Sequence, residues 1–80
     1  MLAARGKTVT IRKHAYEGML GERHAIQEEE VLRVLDEPDR DDGESAWKRI
    51  GQRTVIVRYR EAEDRIVIVA VSATRRRLPP

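Results

Sequence analysis

The sequence predicts an α+β domain of two layers, in which two N-terminal helices pack on one face of an antiparallel sheet. Two neighbouring segments, 53–60 and 65–74, are rich in β-branched residues and are separated by a short acidic loop. Two amphipathic helical patterns precede them, and one short alternating segment precedes the helices. The predicted order is β-α-α-β-β-β, and two helices can cover only one face of such a sheet.

The first half of the chain is predicted to contain one strand and two helices. Residues 1–7 lack periodicity and are expected to be a flexible lead-in to a domain that spans residues 8–74. Residues 8–11 alternate in polarity, as a short edge strand does. An apolar residue at every fourth position from Ile11 predicts a helix that begins near residue 12 and ends near Gly21.

A second helix is predicted from about residue 26 to residue 36. Four aliphatic residues between positions 31 and 35 supply its buried face, and three glutamates in its first turn complement the helix dipole. Pro38 ends this helix. Residues 39–45 carry several charges and no apolar anchor, so they are expected to form a mobile loop.

Three strands follow the charged loop as an antiparallel meander. Residues 46–50 form the first strand, and Gly51-Gln52 predicts a two-residue type II′ turn, because glycine tolerates the positive φ of the first position. Every residue from 66 to 71 is apolar, which indicates a central strand with both faces covered. Residues 75–80 are expected to be a basic, flexible tail.

The middle strand of this meander divides its side chains between two faces. Val55, Val57 and Tyr59 alternate with a second set that includes Arg58 and Arg60. If the helices cover the valine face, both arginines are turned outward.

Composition narrows the classes of function. The chain has 80 residues and no cysteine, so it has neither a disulfide nor a thiolate metal site, which suits the cytoplasm. No apolar run approaches the ~18 residues that a membrane span requires, and no membrane partner is expected. Residues 27–46 hold nine acidic residues against two basic ones, so the net charge of +2 hides a basic surface elsewhere. Such a surface suits phosphates or an acidic partner protein, although a solvated mixed-charge surface is the simpler interpretation.

His14 and Arg58 are the candidate catalytic residues for metal-independent RNA cleavage. This reaction needs a base, a cation for the developing phosphorane charge and an acid, and histidine transfers protons at neutral pH. The alternative for His14 is a half-buried residue that caps or packs its helix. No metal or cofactor is expected. The candidate RNA contacts are basic residues, for which solvated surface cations are the alternative: Lys48, Arg53, Arg60, Arg75 and Arg76.

A family resemblance adds to these expectations. His14-Ala-Tyr-Glu17, then Met19 and Arg23, resembles the opening motif of the domain of unknown function 4258 family. Residues 29–38 resemble the second helix of that family, and residues 47–51, 53–58 and 66–71 resemble its three strands. Gly18 stands where the family motif has arginine. The family is similar to the RelE-like and BrnT-like toxins of toxin–antitoxin pairs.

The resemblance implies a RelE-like fold and an endoribonuclease that acts on RNA or the ribosome and is bound by an antitoxin protein. Two other functions fit the same residues. One is a non-catalytic RNA- or ribosome-binding module that uses Arg58, Arg60 and Lys48. The other is a protein-interaction domain that adds a partner strand to an exposed sheet edge. The edge strand at residues 8–11 would also permit a homodimer.

Overall fold

The computed structural model of the protein describes residues 1–21 and 25–80, so Arg23 and His24 lie outside the described residues. Two helices pack on one face of a curled, six-stranded mixed sheet. In chain order the elements are β1 (Leu2–Ala4), β2 (Lys7–Ile11), α1 (Lys13–Met19), α2 (Glu28–Asp36), β3 (Arg40–Asp41), β4 (Ser45–Ile50), β5 (Arg53–Glu61) and β6 (Arg65–Thr74).

The sheet has the strand order β1-β2-β6-β5-β4-β3. The predicted β-α-α-β-β-β order is present as β2, α1, α2, β4, β5 and β6, while β1 and β3 extend the two edges. The predicted all-antiparallel sheet is wrong at one pair, because β2 and β6 run parallel. Parallel neighbours need a long connection, and here the two helices and three strands between β2 and β6 supply it.

The first strand was missed in the sequence, where residues 1–7 were expected to precede the domain. Leu2–Ala4 pairs antiparallel with β2 through a tight turn at Arg5 and Gly6. Both turn residues have positive φ, 56° and 72°, as a type I′ hairpin requires. The strand β1 therefore covers the edge of β2 at which a homodimer was expected to form.

The charged segment 39–45 also holds more structure than the predicted loop. Arg40–Asp41 pairs with β4 as a two-residue edge strand. The Asp42 carboxylate then accepts the backbone N–H groups of Glu44 and Ser45 at 2.9 and 2.7 Å, which closes the turn. A short polar side chain that bonds the following backbone is a turn signal of its own.

The predicted meander is confirmed, with one irregularity. Ile50 pairs with Arg53, so Gly51-Gln52 is the two-residue turn, and Gly51 has the required positive φ of 64°. Between β5 and β6 the register shifts after Arg58, which leaves Val69 as an extra residue in a β-bulge.

The core lies between the helices and the sheet and is aliphatic apart from Tyr59 and Met19. Val55, Val57 and Tyr59 face the helices as predicted. From β6, Ile66 and Ile68 before the bulge and Val71 after it are buried on the same side. The other β6 face is only half-buried, so the prediction that both faces are covered is wrong. The buried helix residues are Ala15, Met19, Val31, Val34 and Leu35.

Candidate nucleic-acid interface

The face of the sheet turned away from the helices is here called the open face. Its members follow from the pairing of opposite residues in β4, β5 and β6, which places their side chains on the same side. In these three strands the open face is formed by Ser45, Trp47, Arg49, Thr54, Ile56, Arg58, Arg60, Val67, Ala70, Ser72 and Thr74.

Arg58 and Arg60 are exposed on the open face, as their alternation with buried neighbours predicted. Neither arginine forms an ion pair within the part of the chain that the structure describes. Val67 is half-buried and is the strand partner of Arg60. Ile56 is half-buried and precedes Arg58 by two residues on the same face of β5. The result is an apolar strip flanked by free guanidinium groups, which can bind phosphate oxygens in pairs.

The C-terminal residues 75–80, here called the tail, lie on the same face. Arg49 Nη1 donates to the carbonyl oxygen of Arg75 at 2.8 Å, and Thr54 Oγ1 donates to that of Arg76 at 2.9 Å. The side chains of Arg75 and Arg76 are exposed. The structure therefore places the backbone of Arg75 and Arg76 on the same side of the sheet as the side chains of Arg58 and Arg60.

Lys48 and Arg53 lie on the helix side and not with this group. Lys48 was expected to lie beside Arg58 and Arg60 on the open face. Its strand partner is Val55, which faces the helices, so the Lys48 side chain is on the helix side of the sheet. Its Nζ lies 3.6 Å from the Asp39 carboxylate. Arg53 Nη2 lies 3.1 Å from the carboxylate of Glu30 on α2, on the side that strand alternation predicted for it.

His14 is exposed on α1, in the helix layer, whereas Arg58 is on the opposite side of the sheet. A catalytic base and a phosphate-binding cation must reach the same phosphodiester within hydrogen-bond distance. The structure does not bring these two residues together. The alternative of a half-buried, packing His14 is also wrong, because its side chain is exposed. Among residues 1–21 and 25–80, no three potential metal ligands form a group.

Sequence reasoning missed a charged cluster on the helix side, here called the Arg5 cluster: Arg5, Lys7, Asp41, Tyr59 and Glu61. Arg5 Nη1 and Lys7 Nζ contact the two carboxylate oxygens of Glu61 at 2.9 and 2.8 Å. The Arg5 guanidinium also contacts Asp41 and lies 5.2 Å from the centre of the Tyr59 ring. No sequence signal could have found this cluster, because its members come from three segments that are far apart in the chain.

Hydrogen bonds shift the pKa values in the Arg5 cluster. Burial alone would raise the pKa of Asp41, but bonds from the Tyr59 hydroxyl, the Gly43 N–H and Arg5 outweigh it and lower that pKa. The bond from Lys7 lowers the pKa of Glu61, with a further contribution from Arg5. Burial, followed by the bond to Asp41, raises the pKa of Tyr59. The cluster therefore holds both carboxylates ionised.

The ion pairs are distributed unevenly over the two sides of the sheet. On the helix side and at the sheet edges, basic residues are neutralised by carboxylates of Glu30, Asp39, Asp41 and Glu61. On the open face, the described arginines at positions 58 and 60 have no such counter-ion. Acidic residues of the segment 27–46 thus neutralise several bases on the helix side, where Arg12 and Lys13 at the start of α1 are exposed and form no ion pair within the described residues.

In comparisons with known proteins, no family model, no curated protein and no solved structure matches the chain. Among the described residues, neither helix has the length and apolar character needed to cross a membrane.

Proposed function

We propose that the chain is a small, cytoplasmic RNA-binding domain that holds the phosphates of single-stranded RNA on its open face. The observation that carries this proposal is the exposure of Arg58 and Arg60 side by side on a sheet face that the helices leave open, without counter-ions among the described residues. Guanidinium groups form paired, charge-assisted hydrogen bonds with phosphate oxygens. Single strands bind positively charged grooves in this way with little sequence preference.

The architecture supports a RelE-like relationship as part of the same proposal. The core of β2, α1, α2, β4, β5 and β6 has the element order that the family resemblance implied. RNA or the ribosome is the proposed partner, and an acidic antitoxin-like protein would compete for the same arginines. Binding is favoured over cleavage, because His14 and Arg58 lie on opposite sides of the sheet. Catalysis stays a prediction, tested by RNA cleavage that His14→Ala abolishes.

The test compares two variants that lose the same charge from different places. Arg58→Gln/Arg60→Gln removes the exposed pair from the open face, whereas Arg12→Gln/Lys13→Gln removes two exposed cations at the start of α1. Binding of a short fluorescein-labelled oligouridine is measured by fluorescence anisotropy over a range of salt concentrations. We expect the open-face variant to bind about tenfold more weakly or worse, since each charge-assisted bond removed contributes about 1.5–3 kcal/mol.

The salt dependence gives a second measure of the same interaction. The slope of log affinity against log salt should fall by about 0.7 for each phosphate that the open-face variant no longer binds. The α1 variant should keep both affinity and slope nearly unchanged. Equal decreases in the two variants would mean that net charge alone attracts RNA, and the proposal would then be wrong.

A further inference from the structure

The tail lies against the open face without filling the space there. Between the tail and the strands is a groove of about 540 Å³, lined on the strand side by Asp39, Trp47, Arg49 and Thr54 and on the tail side by residues 77–80. The Asp39 carboxylate accepts the backbone N–H of Arg49 at 2.7 Å. Thr54 is buried, while Trp47, Arg49 and Leu78 are half-buried. The tail is therefore in contact with this part of the face but is not packed into it.

The tail is bound chiefly through its backbone carbonyl groups. Trp47 Nε1 donates to the carbonyl oxygen of Pro79 at 3.0 Å. Arg49 Nη1 and Thr54 Oγ1 donate to the carbonyl oxygens of Arg75 and Arg76. All of these acceptors are neutral, so a charged acceptor that reached the same donors would form stronger bonds.

Among these donors, Arg49 would form the strongest additional interactions if a charged acceptor replaced the carbonyl groups of the tail. Its Nη1 and Nη2 atoms donate to carbonyl oxygens of the tail and of Gln52, with a longer contact to Thr54 Oγ1, while its Nε is buried and has no partner among the described residues. No carboxylate forms an ion pair with it in the described part of the chain. The bonds from Arg49 to carbonyl oxygens are already charge-assisted, because the guanidinium is ionised; a phosphate would add an opposite charge and could accept two parallel bonds.

The groove is also in line with the exposed arginines. Thr54, Ile56, Arg58 and Arg60 follow one another on the open face of β5 in steps of about 6.6 Å. Arg49 is the cross-strand partner of Thr54. A nucleic-acid strand that runs along β5 past Arg60 and Arg58 therefore next meets the groove that the tail occupies.

We propose that the tail is an intramolecular competitor of RNA, and that its release makes Arg49 a further phosphate contact and Trp47 a base contact. This inference rests on the proposed function, since the same RNA strand is assumed to lie on the open face. With the tail bound, RNA reaches only the Arg58–Arg60 end. With the tail released, the site extends along β5 to the turn at Gly51-Gln52.

The first test releases the tail without changing its charge. Leu78→Ser/Pro79→Gly/Pro80→Gly removes the half-buried leucine and makes the free tail more flexible, and it retains Arg75, Arg76 and Arg77. If the tail is released in about a tenth of the wild-type molecules, the variant should bind oligouridine more tightly by up to about tenfold, the limit reached when binding to the Arg58–Arg60 end alone is weak. Adding Arg49→Gln to the released variant should abolish most of that gain. Unchanged or weaker binding by the released variant would overturn the inference.

The second test follows the tail directly. The chain has one tryptophan, so a ¹⁵N-correlated NMR spectrum contains one indole N–H signal, and that group donates to Pro79 in the bound state. The signal should move in the released variant, and oligouridine should move the wild-type signal away from its tail-bound position. RNA binding that leaves this signal unmoved would overturn the inference and leave the proposed function intact.

Two further outcomes separate the possible errors. If neither the wild type nor the released variant binds oligouridine, the proposed function and the inference both fail. If release of the tail increases binding of polyglutamate as much as binding of oligouridine, the groove belongs to an acidic protein partner, and the RNA assignment is overturned.

Discussion

Gly18 shows at the scale of one residue how tertiary contact overrides helix propensity. Glycine inside a helix costs about 1 kcal/mol relative to alanine, so the sequence alone marks this position as a weak point of α1. In the structure, a Cβ placed on Gly18 would lie 2.5 Å from the carbonyl oxygen of Val71. The missing side chain is what allows α1 to pack directly on the backbone of β6.

We therefore predict that Gly18→Ala destabilises the protein in spite of its better helix propensity. Overpacking costs about 1–3 kcal/mol, which outweighs the gain from propensity, because the obstacle is a backbone atom that cannot rotate away. The free energy of unfolding is measured by urea denaturation. Glu17→Ala, at the neighbouring exposed position, is the matched control and should change it by no more than about 0.5 kcal/mol. A more stable Gly18→Ala variant would show that α1 does not approach β6 this closely.

At the scale of elements, the Arg5 cluster joins parts of the chain that do not adjoin in sequence. Arg5 lies in the β1–β2 turn, Asp41 in β3, and Tyr59 and Glu61 in β5. Arg5 also bonds α2: its Nε donates to the carbonyl oxygen of Leu35 at 2.6 Å, near the C-terminal end of that helix. A cation at this end interacts favourably with the helix dipole. One side chain thus connects both short edge strands to the helix layer.

The cluster predicts how stability depends on pH. The folded-state pKa values of Asp41 and Glu61 are lowered, so both groups stabilise the fold when ionised. That contribution is complete above the unfolded pKa of about 4 and is lost as the pH falls through the lower folded-state values. We expect the unfolding free energy from urea titrations to decrease as the pH falls from about 4 through the lower folded-state pKa values. In Asp41→Asn the decrease should be smaller.

Asp64→Asn is the control for this measurement, because Asp64 is exposed in the β5–β6 turn and forms no ion pair within the described residues. It should keep the wild-type pH dependence. Tyr59→Phe removes the hydroxyl that donates to Asp41 and should cost about 1–3 kcal/mol at neutral pH. An Asp41→Asn variant with the full acid sensitivity of the wild type would contradict the assignment to this cluster.

At the scale of the whole molecule, the position of the charges matters more than their sum. The net charge of +2 is small, yet ion pairs occupy bases on the helix side while Arg58 and Arg60 stay unpaired within the described part of the chain. At physiological salt, charges separated by more than about 8 Å are largely screened. Carboxylates in the helix layer should therefore have little effect on RNA bound to the opposite side of the sheet.

This screening gives a prediction that separates local from global electrostatics. Glu17→Gln/Glu29→Gln raises the net charge by as much as Arg58→Gln/Arg60→Gln lowers it, and both glutamates are exposed on the helices. We expect oligouridine affinity to stay within about twofold of the wild type at physiological salt, since the Debye length is about 8 Å. Anisotropy titrations check this result. A large gain in affinity would show that the total charge attracts RNA, wherever the charges lie.

The sequence by itself determined the elements with repeated local patterns. These are the β5–β6 hairpin, the Gly51-Gln52 turn, both helices, and the alternation that turns Arg58 and Arg60 outward. In the strands and helices, the spacing of apolar residues repeats over several positions and assigns each side chain to a face. The turn is indicated by the glycine at its first position. The family resemblance remains untested, and the roles it implied for His14 and Arg58 remain predictions.

Only the tertiary structure decided which segments pair and in which direction. The strands β1 and β3 have three and two residues, too few for a periodic pattern, and they exist because β2 and β4 offer free edges. The parallel β2–β6 pair, the face of Lys48, the position of the tail and the Arg5 cluster all depend on register between distant segments. Local side-chain periodicity contains no information about register. Register is set by contacts that form only when the whole sheet assembles.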